Sequence, residues 1–184
     1  MRPEIKVCGV SDPAFAAFAA DAGVDYLGFI FEPSSPRAVT AEKAVLLAKE
    51  ARRGGKPMLV GVFVRQSVAE IVDIMHRAGL NVVQLHRRAK EDEVAALRAA
   101  GFEVWTLAGG AIGDGVLFDS SHGDGDTAFS RGPYKAILAG GIGESNLADA
   151  LALAPDVIDV NSSLETSPGV KSIELLRSFL ASAW

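Results

Sequence analysis

The feature that most limits the fold of this chain is a rhythm. Short runs of branched apolar residues alternate with stretches of helical spacing, many of them rich in alanine, along all 184 residues. Apolar runs lie at 5–8, 26–31, 58–64, 82–86, 103–107, 116–119, 134–139 and 157–160. They are short and apolar on both faces, as buried parallel strands should be. Helical stretches follow at 12–22, 40–53, 67–78, 90–100, 144–153 and 172–182. Ser11 or Asp12 caps the first, with Pro13 near its first turn, and Gly23, Gly79 and Gly101 close helices. The α/β alternation leaves two architectures, an open doubly wound sheet and a closed barrel. Eight strands favour the barrel, a (β/α)8 fold in one domain spanning 1–184. Residues 108–115 are too few for a crossover helix, so the fifth helix should be missing. The sixth should be shortened, within a loop at 120–133.

Composition narrows the function classes. With 49% hydrophobic residues and 22% charged, the chain can bury a sizeable core. A net charge of −5, with both signs mixed, offers no basic footprint for nucleic acid. No apolar run reaches the roughly 18 residues of a membrane span. The start lacks the apolar stretch of a signal peptide, so a cytoplasmic protein is expected. Cys8 is the only cysteine, which excludes an internal disulfide. No His/Asp/Glu grouping has metal-ligand spacing, so no metal is expected.

In a barrel of this kind, chemistry sits at the C-terminal ends of the strands. Those ends carry Cys8, the loop 32–37 with Arg37, then His86, Asp119, Gly140, Gly141 and the segment 159–163. The loops after strands seven and eight are the usual phosphate site. Here they hold Gly140, Gly141, Ser162 and Ser163, whose small side chains let backbone N–H groups approach an anion, with a helix N-terminus beyond. The bland alternative is a pair of ordinary turns. Cys8 serves either as packing or as a base, the latter only as a thiolate drawn down by cations. Asp119 is either a cap or an acid kept protonated by its setting. Arg37 follows Pro36 in a stiff loop suited to gripping an anion. His86 is a third acid–base group or a satisfied core histidine. Lys6 shares the parity of Cys8, and if buried it needs an anionic partner, for which Asp159 is the candidate. His76 and His122 read as surface residues.

Together these segments resemble the phosphoribosylanthranilate isomerase family of tryptophan biosynthesis. "IKVCGVSD" resembles its first strand and catalytic cysteine, and "LGFIFEPSSPRAV" its second strand and Ser-Pro-Arg loop. "VGVFVRQS", "VVQLH" and "VLFDS" resemble strands three, four and six, the last with the catalytic aspartate. "ILAGGIGESN" and "IDVNSSLETSPGVKS" resemble its two phosphate loops. The resemblance implies a TIM barrel without a regular fifth helix and an Amadori rearrangement that needs no cofactor. It implies Asp119 as the acid, Cys8 as the base and Arg37 as a substrate grip. His86 and Asp159 are the further substrate-binding candidates, and Gly140, Gly141, Ser162 and Ser163 the phosphate binders. The partner is then a small phosphorylated substrate, with the chain a monomer or a homodimer. Departures from the family pattern bear on substrate affinity. Arg87 and Ser163 stand where glycine is usual, and serine would be strained if Ser163 requires positive φ. Asp124 and Asp126 make the loop after Asp119 acidic, and the family's "PGVKD" reads "PGVKS". Two alternatives remain at this point. One is a related phosphoribosyl sugar isomerase using two aspartates, against which Cys8 argues. The other is a barrel that binds a phosphorylated ligand without converting it.

Overall fold

A computed structural model describes residues 2–120 and 128–183. Eight parallel strands close one barrel in sequence order. They are β1 (Glu4–Val7), β2 (Tyr26–Ile30), β3 (Met58–Phe63), β4 (Val82–Leu85), β5 (Glu103–Leu107), β6 (Gly115–Asp119), β7 (Lys135–Ala139) and β8 (Val157–Val160). Closure comes from β1 pairing with β8, Lys6 opposite Asp159. Four full helices cover the first half: α1 (Pro13–Asp21), α2 (Ala41–Gly54), α3 (Val68–Ala78) and α4 (Glu91–Ala99). Their starts are set by local chemistry. The Asp12 carboxylate accepts the Phe15 N–H at 2.7 Å, which makes Asp12 rather than Ser11 the cap. Ser67 and Glu70 form a capping box for α3, and Gly79 ends it in the left-handed region.

The second half is thinner. No helix lies between β5 and β6, and none occurs among the described residues between β6 and β7. The helix expected at 144–153 divides into a 3-10 turn, Glu144–Asn146, and a six-residue α5, Leu147–Ala152. After β8 the chain makes a second 3-10 turn, Ser162–Leu164. It then forms a small antiparallel hairpin of β9 (Glu165–Ser167) and β10 (Val170–Lys171), and ends in α6 (Ile173–Ala183). The hairpin was not expected from sequence. His122, Asp124 and Asp126 lie outside the described residues.

Strand alternation divides the core into two shells. Outward residues such as Ile5, Val7, Ile158 and Val160 pack under the helices with Phe15, Ala16, Leu47 and Leu176. Inward residues fill the barrel, among them Tyr26, Val60, Val82, Trp105, Leu117, Ile137 and Val157. Each large apolar side chain removed from water contributes roughly 1.5–3 kcal/mol. Among the polar residues at inward positions, three are fully enclosed or nearly so, Lys6, Gln84 and Asp159. Those three point to where the fold does something other than pack.

Candidate active site

A cavity of about 400 Å³ opens at the C-terminal ends of the strands. Cys8, Arg37, His86, Asp119, Gly140, Gly141, Asp159 and Ser162 all line it, so eight of the nine site residues expected from sequence converge. Ser163 does not line it. Its hydroxyl donates to the Ile142 carbonyl at 2.5 Å, so it ties the β8 loop to the β7 loop. It takes no positive φ, since Ala154 is the only described non-glycine residue that does. Serine is therefore unstrained there. A larger hollow, about 940 Å³, lies at the opposite end of the barrel. It is flanked by paired charges such as Glu4–Lys135 and Arg131–Asp156 and holds none of the expected site residues.

Cys8 is the first residue beyond β1, its N–H donating to the Val160 carbonyl at 2.9 Å. Its neighbour on the same inward face, two residues back along the chain, is Lys6, fully buried, whose Nζ donates to Asp159 Oδ2 at 2.7 Å. The backbone of Gly28 makes room for this group. A Cβ there would stand 3.0 Å from the Cys8 sulfur and 3.3 Å from Lys6 Cε. Burial pulls the Lys6 ammonium down, but the Asp159 carboxylate and the Cys8 thiol outweigh it and hold its pKa above the ordinary value. Burial pushes the Cys8 thiol up, and Lys6 recovers only part of that. A thiolate at Cys8 therefore depends on Lys6, the largest influence that favours it. Burial also pushes Asp159 up against the pull of Lys6, and the nearby Asp119 charge adds to the rise. Lys171 adds a second, weaker pull on both Cys8 and Asp159.

Asp119 ends β6 with its side chain 9% exposed, and His86 Nε2 lies 3.7 Å from its Oδ2. His86 follows β4 directly, its N–H bonded to the Phe63 carbonyl and its ring Nδ1 3.5 Å from Gln84 Nε2. It is therefore a neighbour of the carboxyl rather than a core histidine. Three buried side-chain oxygens among the described residues lack a hydrogen-bond partner: Glu32 Oε2, Gln84 Oε1 and Asp159 Oδ1. All three residues line this one cavity. A buried acceptor left unmade costs about 1–3 kcal/mol, so the cavity is built to receive donors. Sequence reading missed Gln84 and Glu32. Gln84 had a signal, a lone amide in an apolar strand.

Arg37 lies across Gly9, which has φ +71°, and a Cβ there would come within 2.6 Å of Arg37 Cδ. Arg37 Nε and Nη2 each donate to Glu165 at 2.7 Å. Those bonds, the largest influence on it, hold the guanidinium pKa above its usual value. Arg87, the departure after β4, does not line the cavity. It makes a bidentate pair with Glu93 at 2.7 and 2.6 Å, which draws it toward α4. At the phosphate loops, Gly140 and Gly141 adopt φ +101° and +65°, and Gly141 faces open space. The helix beyond is short, a 3-10 turn followed by the six residues of α5. Loop N–H groups, including those opening the Ser162–Leu164 turn, are available to meet an anion.

Comparison with known proteins places this geometry. The family model for N-(5'-phosphoribosyl)anthranilate isomerase matches residues 5–182. A protein of that name from Paracoccus denitrificans is 34% identical, covering 100% of this chain and 98% of its own length. The crystal structure of phosphoribosyl anthranilate isomerase from Thermus thermophilus superposes with a TM-score of 0.83 at 31% identity, covering 97% of each chain. A phosphoribosyl anthranilate isomerase solved with reduced 1-(o-carboxyphenylamino)-1-deoxyribulose 5-phosphate is 26% identical, with a TM-score of 0.80 over 98% of each chain. With the family model matching residues 5–182 and the barrel superposing over nearly its whole length, the chain belongs to the N-(5'-phosphoribosyl)anthranilate isomerase family.

Proposed function

We propose that the cavity converts N-(5'-phosphoribosyl)anthranilate to 1-(2-carboxyphenylamino)-1-deoxyribulose 5-phosphate, an Amadori rearrangement in tryptophan biosynthesis. Asp119 gives its proton to the ribose ring oxygen, the C1′–O bond breaks, and a Schiff base forms at C1′. The Cys8 thiolate then takes the proton from C2′, and the electron pair moves to give an enolamine. Tautomerisation to the ketone completes the reaction, with no electrons gained or lost overall. The observation that carries this reading is that Cys8 and Asp119 line one cavity, beside a buried cation. Acid–base catalysis needs one group protonated and the other ionised at the same pH. Lys6 stabilises the thiolate once it forms.

The rest of the cavity suits the same substrate. Sugar hydroxyls supply the donors that Gln84 Oε1 and Asp159 Oδ1 lack. The loops bearing Gly140, Gly141 and Ser162 take the phosphate through backbone N–H groups. Ser163 acts behind them by locking the two loops together. Arg37 then meets the remaining anion, the carboxylate of the aryl ring. His86 steadies the Asp119 carboxyl. A cytoplasmic location agrees with a small charged substrate. No helix among the described residues is long and apolar enough to cross a membrane. The direct test is to supply freshly made N-(5'-phosphoribosyl)anthranilate and follow its fluorescence. Rapid, protein-dependent loss is expected. Binding of the phosphate ester without turnover would leave a binding barrel and sink the isomerase reading.

A further inference from the structure

We infer that Glu165 is a positioning residue, which aims Arg37 at the aryl carboxylate of the substrate from behind the cavity wall. This rests on the substrate assignment above. Arg37 lines the cavity, but Glu165 does not, and its side chain is only 4% exposed. Glu165 Oε1 and Oε2 take Arg37 Nε and Nη2, both at 2.7 Å. That bidentate geometry fixes the plane of the guanidinium as well as its place. Nη1 has no partner among the described residues. An arginine held this way surrenders its rotamer freedom before the ligand arrives, so less is lost on binding.

The hairpin β9–β10 supports the carboxylate in turn. Glu165 pairs in register with Lys171, whose side chain is 1% exposed and whose Nζ donates to Glu165 Oε1 at 2.7 Å. The same ammonium donates to the carbonyl and the Oδ1 of Asn161, at 2.9 and 2.7 Å. Asn161 lines the cavity beside the phosphate loop. The hairpin turn abuts the Arg37 loop itself. Gly169 has φ +87°, and a Cβ on it would lie 2.6 Å from the Pro36 carbonyl oxygen. Charge is conserved for the ligand as well. Two cations share one carboxylate, so the cluster keeps a net positive charge toward an anion. One buried carboxylate thus connects the grips at both ends of the substrate.

The test compares Glu165→Gln with the wild type on two ligands. One is 1-(2-carboxyphenylamino)-1-deoxyribulose 5-phosphate, and the other is the same molecule without its carboxyl group. Glutamine keeps the shape but loses the charge and one acceptor. The wild type should prefer the carboxylated ligand by about tenfold or more in calorimetric Kd. In Glu165→Gln most of that preference should vanish, with the Kd of the decarboxylated ligand unchanged. KM for the substrate should rise about tenfold, with kcat within about threefold of wild type, as expected when uniform binding is lost. The double variant Glu165→Gln/Lys171→Met removes the buried pair together, and it should show the same loss of preference if the single variant folds poorly. A folded variant that keeps the preference overturns the inference, as does a wild type with none. If neither variant folds, Glu165 belongs to the scaffold and the inference is equally overturned. Wild-type turnover is measured in parallel. A wild type that prefers the carboxylated ligand but does not turn over substrate defeats the isomerase reading and leaves the aiming role standing.

Discussion

The two mouths of the barrel are built from the same residue types and reach opposite outcomes. At the N-terminal mouth, Glu4, Tyr26 and Lys135 close on one another. Tyr26 donates to Glu4 at 2.9 Å, Lys135 donates to Glu4 at 3.0 Å, and Lys135 Nζ stands 5.0 Å from the centre of the Tyr26 ring. Trp105 packs against Tyr26, the ring centres 4.9 Å apart and the planes tilted by 60°. At the C-terminal mouth, Lys6 meets Asp159, but the second Asp159 oxygen has no partner, nor do Gln84 Oε1 and Glu32 Oε2. One mouth completes its hydrogen bonds internally. The other leaves acceptors free for a ligand's donors. Strand polarity accounts for the choice, because loops that can vary without disturbing the barrel leave from the C-terminal ends.

Removing the chemistry from the open mouth should have the largest effect. Cys8→Ala and Asp119→Asn should each lower kcat by roughly 10²–10⁴-fold with the fold intact. Steady-state kinetics and a thermal melt check this, and near wild-type rates in either variant would refute the assigned role. Next comes Lys6→Met. It strands Asp159 in the interior and should cost about 3–5 kcal/mol of stability. Lys6→Met/Asp159→Asn should recover most of that, but not activity. Without the ammonium, the Cys8 thiol should deprotonate at higher pH, so less thiolate exists near neutrality. Alkylation of the single cysteine by iodoacetamide reads this directly, as a rate profile displaced to higher pH. An undisplaced profile would remove Lys6 from the proton inventory of the site.

How much of this was legible in the sequence differs between the mouths for a physical reason. The strands were readable because buried parallel strands are apolar on both faces and stand out as short continuous apolar runs between helical stretches, and Cys8, Asp119 and Asp159 fell at or near their ends. Convergence of the polar residues followed from strand polarity alone. The pairing of polar groups was less accessible. Lys6 with Asp159 could be anticipated because strand register makes them opposite. Arg37 with Glu165 could not, since 128 residues separate them and the hairpin that joins them looked like part of a phosphate loop. Its signal was present, opposite charges at Glu165 and Lys171 flanking Ser167-Pro168-Gly169. The thiol pKa could not be read from the sequence for another reason. A sequence shows which charges are near in the chain, but not how much water burial removes.

Acid titration sharpens the comparison with a smaller effect. Burial would raise the Glu165 pKa, but the bonds from Arg37 and Lys171 win and lower it to about 2 from 4.5. A carboxylate with a depressed folded pKa contributes stability that is fully present above pH 4.5 and is lost as pH falls toward 2. The difference corresponds to about 3 kcal/mol. Urea unfolding midpoints between pH 5 and pH 2.5 should therefore fall more steeply in wild type than in Glu165→Gln. Parallel slopes would mean that the hairpin carboxylate is not held as described.

The smallest expected effect belongs to the closed mouth. Lys135 and Glu4 are 29% and 45% exposed, so their ion pair contributes at most about 1 kcal/mol. Lys135→Met keeps the stem against Trp105 and leaves the Tyr26–Glu4 bond in place. It should lower Tm by roughly 2–4 °C, with kcat/KM unchanged. The pH profile should not move either. Tyr26, held up to about 12 mainly by burial, stays protonated across the range in which the enzyme would be assayed. Any titration seen in kcat/KM then arises at the other mouth. If Lys135→Met lowered kcat/KM more than its effect on folding explains, the barrel interior between the two mouths would be transmitting strain along the barrel axis, and the separation of a stabilising end from a reacting end would fail.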